Sequence, residues 1–400
     1  MDCQNKILIL TYWNYEDALI QNYTLPYVKI IAKKLPPESV IYIVTLDKKT
    51  FSAISNIQQN VRHISLPYIP FSGKAALAWI KNIYFLYFFI KKNKISTIHA
   101  WCTPAGMIGH LLSKLTKKTL IIDSFEPHAE AMIENGEWKK DSIAFKLLFY
   151  FERKQTKRAK YLIATTEGMK TYALEKYSHH KQNFFVKPAC VDLKLFSEKN
   201  LKNKELLSEL NLENKIVAVY AGKFGGIYLE KEVFDFIKVA ENYWGESFRM
   251  LILSSHTSEY IQNMAKDISI KPETIIHRFV SHQQIPDYIG LADFGITPVK
   301  PVPTKKYCTP IKDGEYWALG LPVIITPNIS DDSDIISNYK IGSVLNGLNH
   351  SAYLKSITEI DQLLKNHTRQ ELYKKIRPIA EKYRNFEIAE KVYSEIYGNK

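Results

Sequence analysis

The chain has 400 residues, of which 46% are hydrophobic and 24% are charged, and its formal net charge is +13 at pH 7. This composition excludes a disordered chain, and the length exceeds what one simple core fills, so we expect two globular domains. The excess of positive charge favours an anionic partner, and a nucleotide-linked substrate, an acidic membrane surface and nucleic acid all qualify.

The chain opens directly on a strand pattern, without a charged leader or a long apolar run, so no secretion signal is expected. Its cysteines are widely scattered and form no C-x-x-C pair, which argues against a zinc site or a disulfide framework. They are Cys3, Cys102, Cys190 and Cys308. We therefore predict a protein of the reducing cytoplasm.

In chain order, the first half alternates short β-rich runs with helical stretches, which is typical of a parallel sheet covered by helices. Helices are predicted at Tyr23–Lys34 and Pro104–Leu115. Strands are predicted at Lys6–Tyr12, Val40–Thr45, Val61–Ser65, Thr97–Ala100, Leu120–Asp123 and Tyr161–Thr165.

Within this half, the run Trp79–Ile90 is rich in aromatic residues and is followed by several lysines. Two interpretations stay open: an interfacial helix that rests on anionic lipid, and a core helix covered by solvated lysines. The apolar part is far shorter than the roughly 20 residues that cross a bilayer. Peripheral attachment is therefore compatible with the sequence, and membrane spanning is not.

The second half restarts the alternation, so we predict two Rossmann-like units rather than one continuous sheet. The boundary is expected near the proline-bearing segment Phe185–Phe196, which gives domains at 1–190 and 191–375 and a helical tail at 376–400. Strands are predicted at Ile216–Ala221, Arg249–Leu253, Thr274–His277, Phe294–Thr297, Val323–Thr326 and Ser343–Leu345.

The first strand of the second half runs into a glycine-rich turn, Gly222–Gly226, before a helical stretch. Glycines at such a turn let backbone N–H groups approach a phosphate, and the helix dipole adds attraction. Lys223 would supply the counter-charge. The alternative is an ordinary tight turn, since neither the dinucleotide-binding spacing nor a P-loop is present.

Two further segments carry chemistry. Phe279, Val280 and Ser281 follow a strand, at the edge of an open α/β sheet where ligands bind, so they are expected to frame a nucleobase. In the block from Pro310 to Ile325, Lys312 and Glu315 project from one helical face, which suits a ligand with a phosphate and a diol. The alternative for this pair is an ordinary surface ion pair.

These segments resemble GT-B glycosyltransferases, and the second half is most similar to glycosyltransferase family 4. The resemblance is carried by the pattern Phe279–Ile296, by the block K-x-x-E-x-x-A-x-G-x-P-V that begins at Lys312, and by the segment Val186–Phe196. It implies two Rossmann-like domains that face a cleft, with the C-terminal helix packing back on the N-terminal domain. It also implies retention of anomeric configuration and a nucleotide-sugar donor, without a cofactor or metal.

Carried over residue by residue, the resemblance implies that Lys223 and Lys312 hold the diphosphate of the donor and act in catalysis. Gly225 and Gly226 would cradle that diphosphate, and Glu315 would accept from the ribose hydroxyls. The other donor-binding residues implied are Phe279, Val280, Ser281, Pro310 and Ile311. The sequence departs from the family where the first glutamate of its paired signature would fall, since this position is Tyr307.

In the first domain, the resemblance implies a catalytic role for His128, which follows a strand end and would help to stabilise an oxocarbenium-like transition state. The alternative is a structural histidine. The loop after the first strand carries aromatic side chains suited to sugar faces. Its residues Trp13, Tyr15, Glu16 and Asp17 are the predicted acceptor-binding set.

The predicted function is transfer of a sugar from a nucleotide-diphosphate sugar to a saccharide acceptor, lipid-linked and used in bacterial surface polysaccharide synthesis. The predicted partners are the nucleotide sugar, this acceptor and an anionic membrane surface, but not nucleic acid, because no basic recognition motif appears. The alternatives are a nucleotide-sugar epimerase and a catalytically silent GT-B scaffold subunit, which Tyr307 makes conceivable.

Overall fold

The structure is a computed structural model that describes residues 5–48, 54–68, 73–178 and 183–398, with the backbone alone for 73–76 and 78. The described chain divides into two compact units. Residues up to Pro188 and those from Glu387 form the first unit, and Ala189–Phe386 form the second. Cys3 lies outside the described residues.

The described part of the first unit contains one eight-stranded sheet in the order β3-β4-β2-β1-β5-β6-β7-β8. All neighbours pair in parallel except β3 and β4, which pair antiparallel. The strands are β1 (Lys6–Leu10), β2 (Val40–Asp47), β3 (Ser55–Gln58), β4 (Val61–Pro67), β5 (Thr97–Trp101), β6 (Thr119–Phe125), β7 (Tyr161–Ala164) and β8 (Phe184–Val186).

Helices connect the parallel strands of this unit, as crossover connections require. They are α1 (Leu25–Lys34), α2 (Gly73–Lys92), α3 (Thr103–Thr116), α4 (His128–Glu134), α5 (Ile143–Arg158) and α6 (Gly168–Tyr177). A π-helical turn, Leu19–Thr24, leads into α1. Near-continuous apolar strands such as β1 are buried because helices cover both faces of a parallel sheet.

The second unit contains a six-stranded, wholly parallel sheet in the order β11-β10-β9-β12-β13-β14. Buried apolar side chains form one cluster around Trp317 and another around Phe234, which together make the core. The strands are β9 (Ile216–Ala221), β10 (Phe248–Leu253), β11 (Ile275–Arg278), β12 (Phe294–Thr297), β13 (Val323–Ile325) and β14 (Gly342–Val344).

The helices of the second unit follow the same alternation and end in a run of long helices. They are α7 (Lys204–Glu209), α8 (Lys231–Trp244), α9 (Ser258–Asp267), α10 (Ile285–Ile289), α11 (Ile311–Ala318), α12 (Asp332–Tyr339), α13 (His350–Asn366) and α14 (Arg369–Arg384). The last helix, α15 (Phe386–Tyr397), follows at once. Gly320, at φ +68°, ends the turn after α11 in the left-handed region that favours glycine.

The prediction of two parallel α/β units is confirmed, and each of the twelve predicted strands overlaps an observed one. Two edge strands, β3 and β8, were not predicted. β3 has the polar sequence Ser-Asn-Ile-Gln, and β8 is only three residues long. Edge strands are often short or polar, so they give a weak apolar signal.

The helical tail begins later than predicted. Residues 376–386 belong to the second unit, because Ile376, Ile379 and Ala380 of α14 are buried in the core around Trp317. Only the chain from Glu387 joins the first unit, and the division after Pro188 lies two residues before the predicted boundary.

A buried polar cluster holds α15 against the first sheet. The Asp123 carboxylate of β6 accepts a hydrogen bond from the Tyr393 hydroxyl at 2.6 Å and lies 3.3 Å from the Lys187 ammonium. His99 of β5 is bonded to the Tyr397 hydroxyl at 2.7 Å. Asp123, His99 and Lys187 are fully buried. Their contacts with one another and with the two tyrosine hydroxyls take the place of the hydrogen bonds to water that they lose on burial.

Candidate functional site

The carboxyl end of β9 opens into the turn Gly222–Gly226. Gly225 and Gly226 have φ values of +77° and +60°, in the left-handed region that favours glycine. A Cβ added at Gly226 would meet no described heavy atom within 4 Å, apart from its chain neighbours. The backbone of this turn is therefore accessible to a ligand.

Side-chain contacts hold the turn in place. The Tyr220 hydroxyl donates to the carbonyl of Lys223, and the Phe224 N–H donates to His256 Nε2 at 3.0 Å. At the far end, Tyr228 pairs with Val299, which follows β12. The turn is thus fixed to the sheet at both ends, and the Lys223 side chain is exposed between them.

Lys312, in the first turn of α11, lies against this glycine turn. Its ammonium is 3.9 Å from the ring centroid of Tyr228 and 5.5 Å from that of Tyr220. A Cβ at Gly222 would lie 3.5 Å from Lys312 Cε. The structure thus brings together the turn and the lysine that the sequence places about 90 residues apart.

Lys312 makes no ion pair with a described carboxylate, although the Glu315 and Asp313 carboxyls lie close enough to interact with its charge. The residue is only 6% exposed, and no carboxylate of a described residue lies within 4.0 Å of its ammonium. The aromatic faces of Tyr228 and Tyr220 offset part of the desolvation cost, since a cation is attracted to a ring face. An anion at the start of α11 would satisfy both this ammonium and the unbonded N–H groups of the first helical turn.

Glu315, one turn further along α11, is partly exposed and makes no side-chain hydrogen bond or ion pair with a described residue. Burial raises the pKa of its carboxyl to about 7, although the nearby Lys312 charge opposes this shift. No ion pair joins Glu315 to Lys312, so the alternative of an ordinary surface ion pair is wrong. The carboxylate is available to accept hydrogen bonds from a ligand.

A buried polar clamp fixes α11 from behind. The Asp313 carboxyl accepts from the Thr297 hydroxyl of β12, and the neighbouring Asp332 carboxyl accepts from Arg384 of α14. Burial raises the pKa of both carboxyls, and the nearby Asp313 charge raises that of Asp332 further. A Cβ at Gly314 would approach Arg384 Cγ at 3.1 Å, so a larger residue here would require the Arg384 side chain to shift.

Pro310 and Ile311 form the start of α11. Pro310 is buried at the N-cap position, and Ile311 is the first helical residue. Their role in donor binding stays a prediction.

The nucleobase segment follows β11, two strands away from β9 at the same edge of the sheet. Phe279 is 76% exposed, Val280 packs against the core around Trp317, and Ser281 donates to Gln284 Oε1 at 2.8 Å. The structure records no contact between these residues and Lys312 or the glycine turn. Their role in base binding stays a prediction.

Sequence reasoning missed several residues around Lys312. The Tyr228 ring lies against the Lys312 ammonium. In the sequence, only its position two residues after the glycine turn could have indicated that it belongs to the site. Lys305, in the 3-10 turn Pro303–Tyr307, is also buried and has no ion pair with a described carboxylate. The clamp formed by Asp313, Asp332 and Arg384 has no local sequence signal.

In the first unit, His128 begins α4 at the carboxyl end of β6. Its Nδ1 donates to Glu126 Oε1 at 3.0 Å, which leaves Nε2 available to a substrate. His128 lines an apolar cavity of about 140 Å³ together with Tyr12, Trp79 and Trp138. The cavity therefore brings the predicted catalytic histidine close to Tyr12, the residue that precedes the predicted acceptor loop.

Glu152 of α5 positions the turn that carries His128. This buried carboxylate accepts from the Ala129 N–H and from the Tyr177 hydroxyl, each at 2.8 Å. Burial raises the pKa of Glu152 to about 7, although these two hydrogen bonds oppose the shift. Glu152 is thus a buried support for the first turn of α4.

The predicted acceptor loop is tied closely to the sheet. The Tyr15 ring stacks on His63 with centroids 4.3 Å apart, and its N–H donates to Asp47 Oδ1 at 2.7 Å. Asp17 accepts from the Leu19 N–H at 2.8 Å and so begins the π-helical turn. Trp13 is partly exposed and Glu16 exposed, so these two side chains remain accessible to a ligand.

The chain forms two α/β units, and its C-terminal helix packs on the sheet of the first unit. The comparison with solved structures shows that this fold is GT-B-like. The chain is similar to a sucrose-phosphate synthase from Thermosynechococcus elongatus, at 14% identity, 98% coverage of each chain and a TM-score of 0.75. It is also similar to a glycosyltransferase from Rickettsia africae, at 15% identity, 100% coverage of each chain and a TM-score of 0.70.

A third similar structure is Anabaena HepE in complex with UDP, at 12% identity and a TM-score of 0.70, covering 98% of this chain and 99% of that chain. Neither a protein-family model nor a curated protein matches the sequence. The prediction of a GT-B fold is confirmed, whereas membership of family 4 stays a prediction.

Proposed function

We propose that the protein is a retaining glycosyltransferase that moves a sugar from a nucleotide-diphosphate sugar to a saccharide acceptor. The observation that carries this proposal is the buried ammonium of Lys312, which makes no ion pair with a described carboxylate, beside the open turn at Gly225 and Gly226. Backbone N–H groups, a helix start and a fixed cation are the elements that bind a diphosphate.

In the reaction, the bond between the anomeric carbon and the phosphate oxygen breaks, and the acceptor oxygen bonds to that carbon on the same face. The acceptor proton passes to the departing phosphate oxygen. Lys312 and Lys223 stabilise the negative charge that develops on the diphosphate, and fixed charges at the leaving group stabilise the transition state more than the bound substrate.

Glu315 binds the ribose of the donor in this proposal. Its carboxylate lies one turn after Lys312 and has no hydrogen-bond partner among the described residues, so it can accept from a diol. The structures of Anabaena HepE with UDP and with UDP-glucose support a nucleotide diphosphate as the donor's leaving group.

The acceptor binds the first unit near His128, with Trp13 and Glu16 as contacts. The apolar cavity beside His128 supports an acceptor with an apolar portion, such as a lipid-linked saccharide. A structural neighbour, WaaG, is a glycosyltransferase involved in lipopolysaccharide biosynthesis, which supports a role in bacterial surface polysaccharide synthesis.

We also assign the protein to the inner face of the cell membrane. No helix among the described residues is long and apolar enough to cross a membrane. Helix α2 buries one apolar side, including Leu86 and Ile90, but exposes another that includes Ile80, Tyr84 and Phe88. Helix α2 is therefore neither fully buried nor covered by polar side chains on its exposed side. An exposed apolar helix face supports peripheral attachment to a membrane.

Calorimetric titration with UDP, followed by a transfer assay over a panel of nucleotide sugars, tests the donor site. Lys312→Ala and Glu315→Ala should weaken UDP binding and abolish transfer, whereas Lys306→Ala, which removes an exposed lysine close by in the sequence, should change neither. Wild-type affinity and turnover in both site variants would refute the assignment.

The same assays separate the alternatives. A nucleotide-sugar epimerase would convert the sugar without any acceptor, so product analysis in the absence of acceptor identifies it. A silent scaffold, which Tyr307 makes conceivable, would form no product and need not bind UDP. UDP binding by the wild type together with acceptor-dependent transfer would exclude both.

A further inference from the structure

A strongly basic cavity lies in the first unit, at the amino ends of β6 and β7. It has a volume of about 570 Å³ and lies where the last turns of α3 and α5 meet the start of β6. His128 follows the opposite, carboxyl end of β6, so this cavity is separate from the predicted acceptor site. Its cationic lining residues are Lys114, Lys118, Lys154, Lys157, Arg158 and Lys160.

Three lysines of this cavity lack an ion pair with any described carboxylate. No Asp or Glu is among the described residues that line it. Lys114, Lys118 and Lys154 form no ion pair with a described carboxylate. Like charges gathered in one concave surface raise the local potential and attract an anion. The cavity is therefore built to receive several negative oxygens at once.

One lining residue is fixed by hydrogen bonds, and another has a ring nitrogen without a described partner. Arg158 donates to the hydroxyl oxygen of Ser113 at 2.8 Å and to its carbonyl at 2.7 Å. His110 Nδ1 is buried and has no hydrogen-bond partner among the described residues. Burial, with Arg158, Lys114 and Lys154 nearby, lowers the pKa of His110, so the neutral ring keeps one N–H that can donate to a ligand.

An exposed apolar stripe on α5 continues from the cavity. Ile143, Leu147 and Tyr150 are spaced at intervals of four and three residues, which places them on one helical face, and they are 84%, 42% and 51% exposed. Tyr150 also lines the cavity, with the Lys154 ammonium 5.2 Å from its ring centroid. A free anion would need no such stripe, whereas a lipid presents phosphate and apolar surface together.

We propose that this cavity binds the phosphate headgroup of an anionic lipid while α5 lies along the membrane interface. The inference rests on the proposed attachment to the inner face of the cell membrane, and it names the lipid phosphate as the group that the protein binds there. It does not involve the donor site on the second unit, so the two can fail independently.

Flotation with two kinds of vesicle tests the proposal. The full-length protein should bind vesicles of phosphatidylcholine mixed with phosphatidylglycerol, and bind phosphatidylcholine alone weakly. Replacing Lys114, Lys118 and Lys154 together by Ala should weaken binding to the anionic vesicles about a hundredfold, since each basic residue contributes roughly 1 kcal/mol.

The control is a variant with the same loss of charge on the second unit, in which the exposed Lys199, Lys204 and Lys375 are replaced by Ala. It should bind anionic vesicles within about threefold of the wild type, given the short range of screened charge. Equal weakening in the two triple variants would overturn the proposal, because net charge rather than the cavity would then govern binding.

A soluble competitor separates the lipid from a free anion. Inorganic pyrophosphate should displace the protein from anionic vesicles only when present in large excess over the lipid phosphate. Tight pyrophosphate binding that depends on the three lysines, with no binding to anionic vesicles, would overturn the assignment to lipid. UDP titration of the triple variant should give wild-type affinity, and this keeps the outcome distinct from failure of the donor site.

Discussion

Two buried lysines, one in each unit, are similar in almost every respect except the balance of their charge. Lys187 follows β8 and has its ammonium 3.6 Å from the ring centroid of Tyr27, and Lys312 has its own 3.9 Å from that of Tyr228. Lys187 also lies 3.3 Å from the Asp123 carboxylate. No described carboxylate lies within ion-pair distance of Lys312.

This difference separates a structural cation from one that is suited to a ligand. Aromatic faces and burial are common to both lysines, so neither property identifies a site. A buried charge that is neutralised within the fold stabilises that fold, and removing its partner is costly. A buried charge that has no partner keeps its electrostatic attraction for a ligand.

The largest expected effect is on the stability of the first unit when Lys187 is replaced. Lys187→Met should lower the free energy of unfolding by about 3–5 kcal/mol, because Asp123 would remain buried without its counter-charge. Urea denaturation followed by tryptophan fluorescence measures this change. Adding Asp123→Asn should recover part of the loss, and a double variant as unstable as the sum of the single ones would contradict the pairing.

A smaller loss is expected from the hydroxyl that supports the same carboxylate. Burial alone would raise the pKa of Asp123, but Lys187, His99 and Tyr393 together hold it below its usual value. Tyr393→Phe should therefore cost about 1–3 kcal/mol and raise the pKa of Asp123, since a buried acceptor loses a donor.

The matched comparison for this variant is Tyr397→Phe, which removes the hydroxyl bonded to His99 rather than to the carboxylate. This hydrogen bond does not involve a carboxylate, so the expected cost is about 1 kcal/mol. Denaturation curves of the two variants give the ranking. A larger loss for Tyr397→Phe would show that His99, and not Asp123, is the centre of the cluster.

The fold was largely predictable because buried parallel strands have a simple sequence pattern. Runs such as Lys6–Leu10 and Ile216–Ala221 are apolar nearly throughout and are bounded by turn residues. The polar edge strand Ser55–Gln58 lacks this pattern. The helix Arg369–Arg384 was assigned in part to the wrong domain, because helical periodicity does not show which core its apolar face enters.

The candidate donor site was predictable where its chemistry is local in sequence. The glycine turn follows a strand directly, and Lys312 and Glu315 lie within one helical turn. The supports were not predictable, because they join distant residues. Arg384 and Asp332 are separated by 52 positions, and Tyr316 reaches the backbone of Ala221 across 95 positions.

The comparison of the two lysines also predicts how the stability of the second unit depends on pH, through the Glu315 carboxyl near Lys312. The pKa of Glu315 is raised from 4.5 to about 7, so between these values the folded state holds a proton that the unfolded chain has lost. Stability should therefore fall as pH rises through this window. Because the side chain is partly exposed, we expect a loss of about 1–2 kcal/mol.

Glu315→Gln should remove this part of the pH dependence, which denaturation at pH 5 and at pH 8 measures. Asp313 and Asp332 also have raised pKa values and contribute in the same direction, so the difference between wild type and variant is the relevant quantity. An identical pH slope in both proteins would show that the Glu315 carboxyl is not perturbed by its surroundings.

The smallest expected change in stability is that of Lys312→Met, the substitution that matches Lys187→Met in the other unit. Methionine keeps an apolar stem over Tyr228, and no carboxylate is left unpaired, so the free energy of unfolding should change by less than about 1 kcal/mol in either direction. Affinity for UDP should nevertheless fall about tenfold to a hundredfold, as expected for the loss of a charge-assisted contact. If Lys312→Met instead destabilised the protein as strongly as Lys187→Met while UDP binding persisted, the second lysine would be structural too, and the absence of a counter-charge would not mark a ligand site.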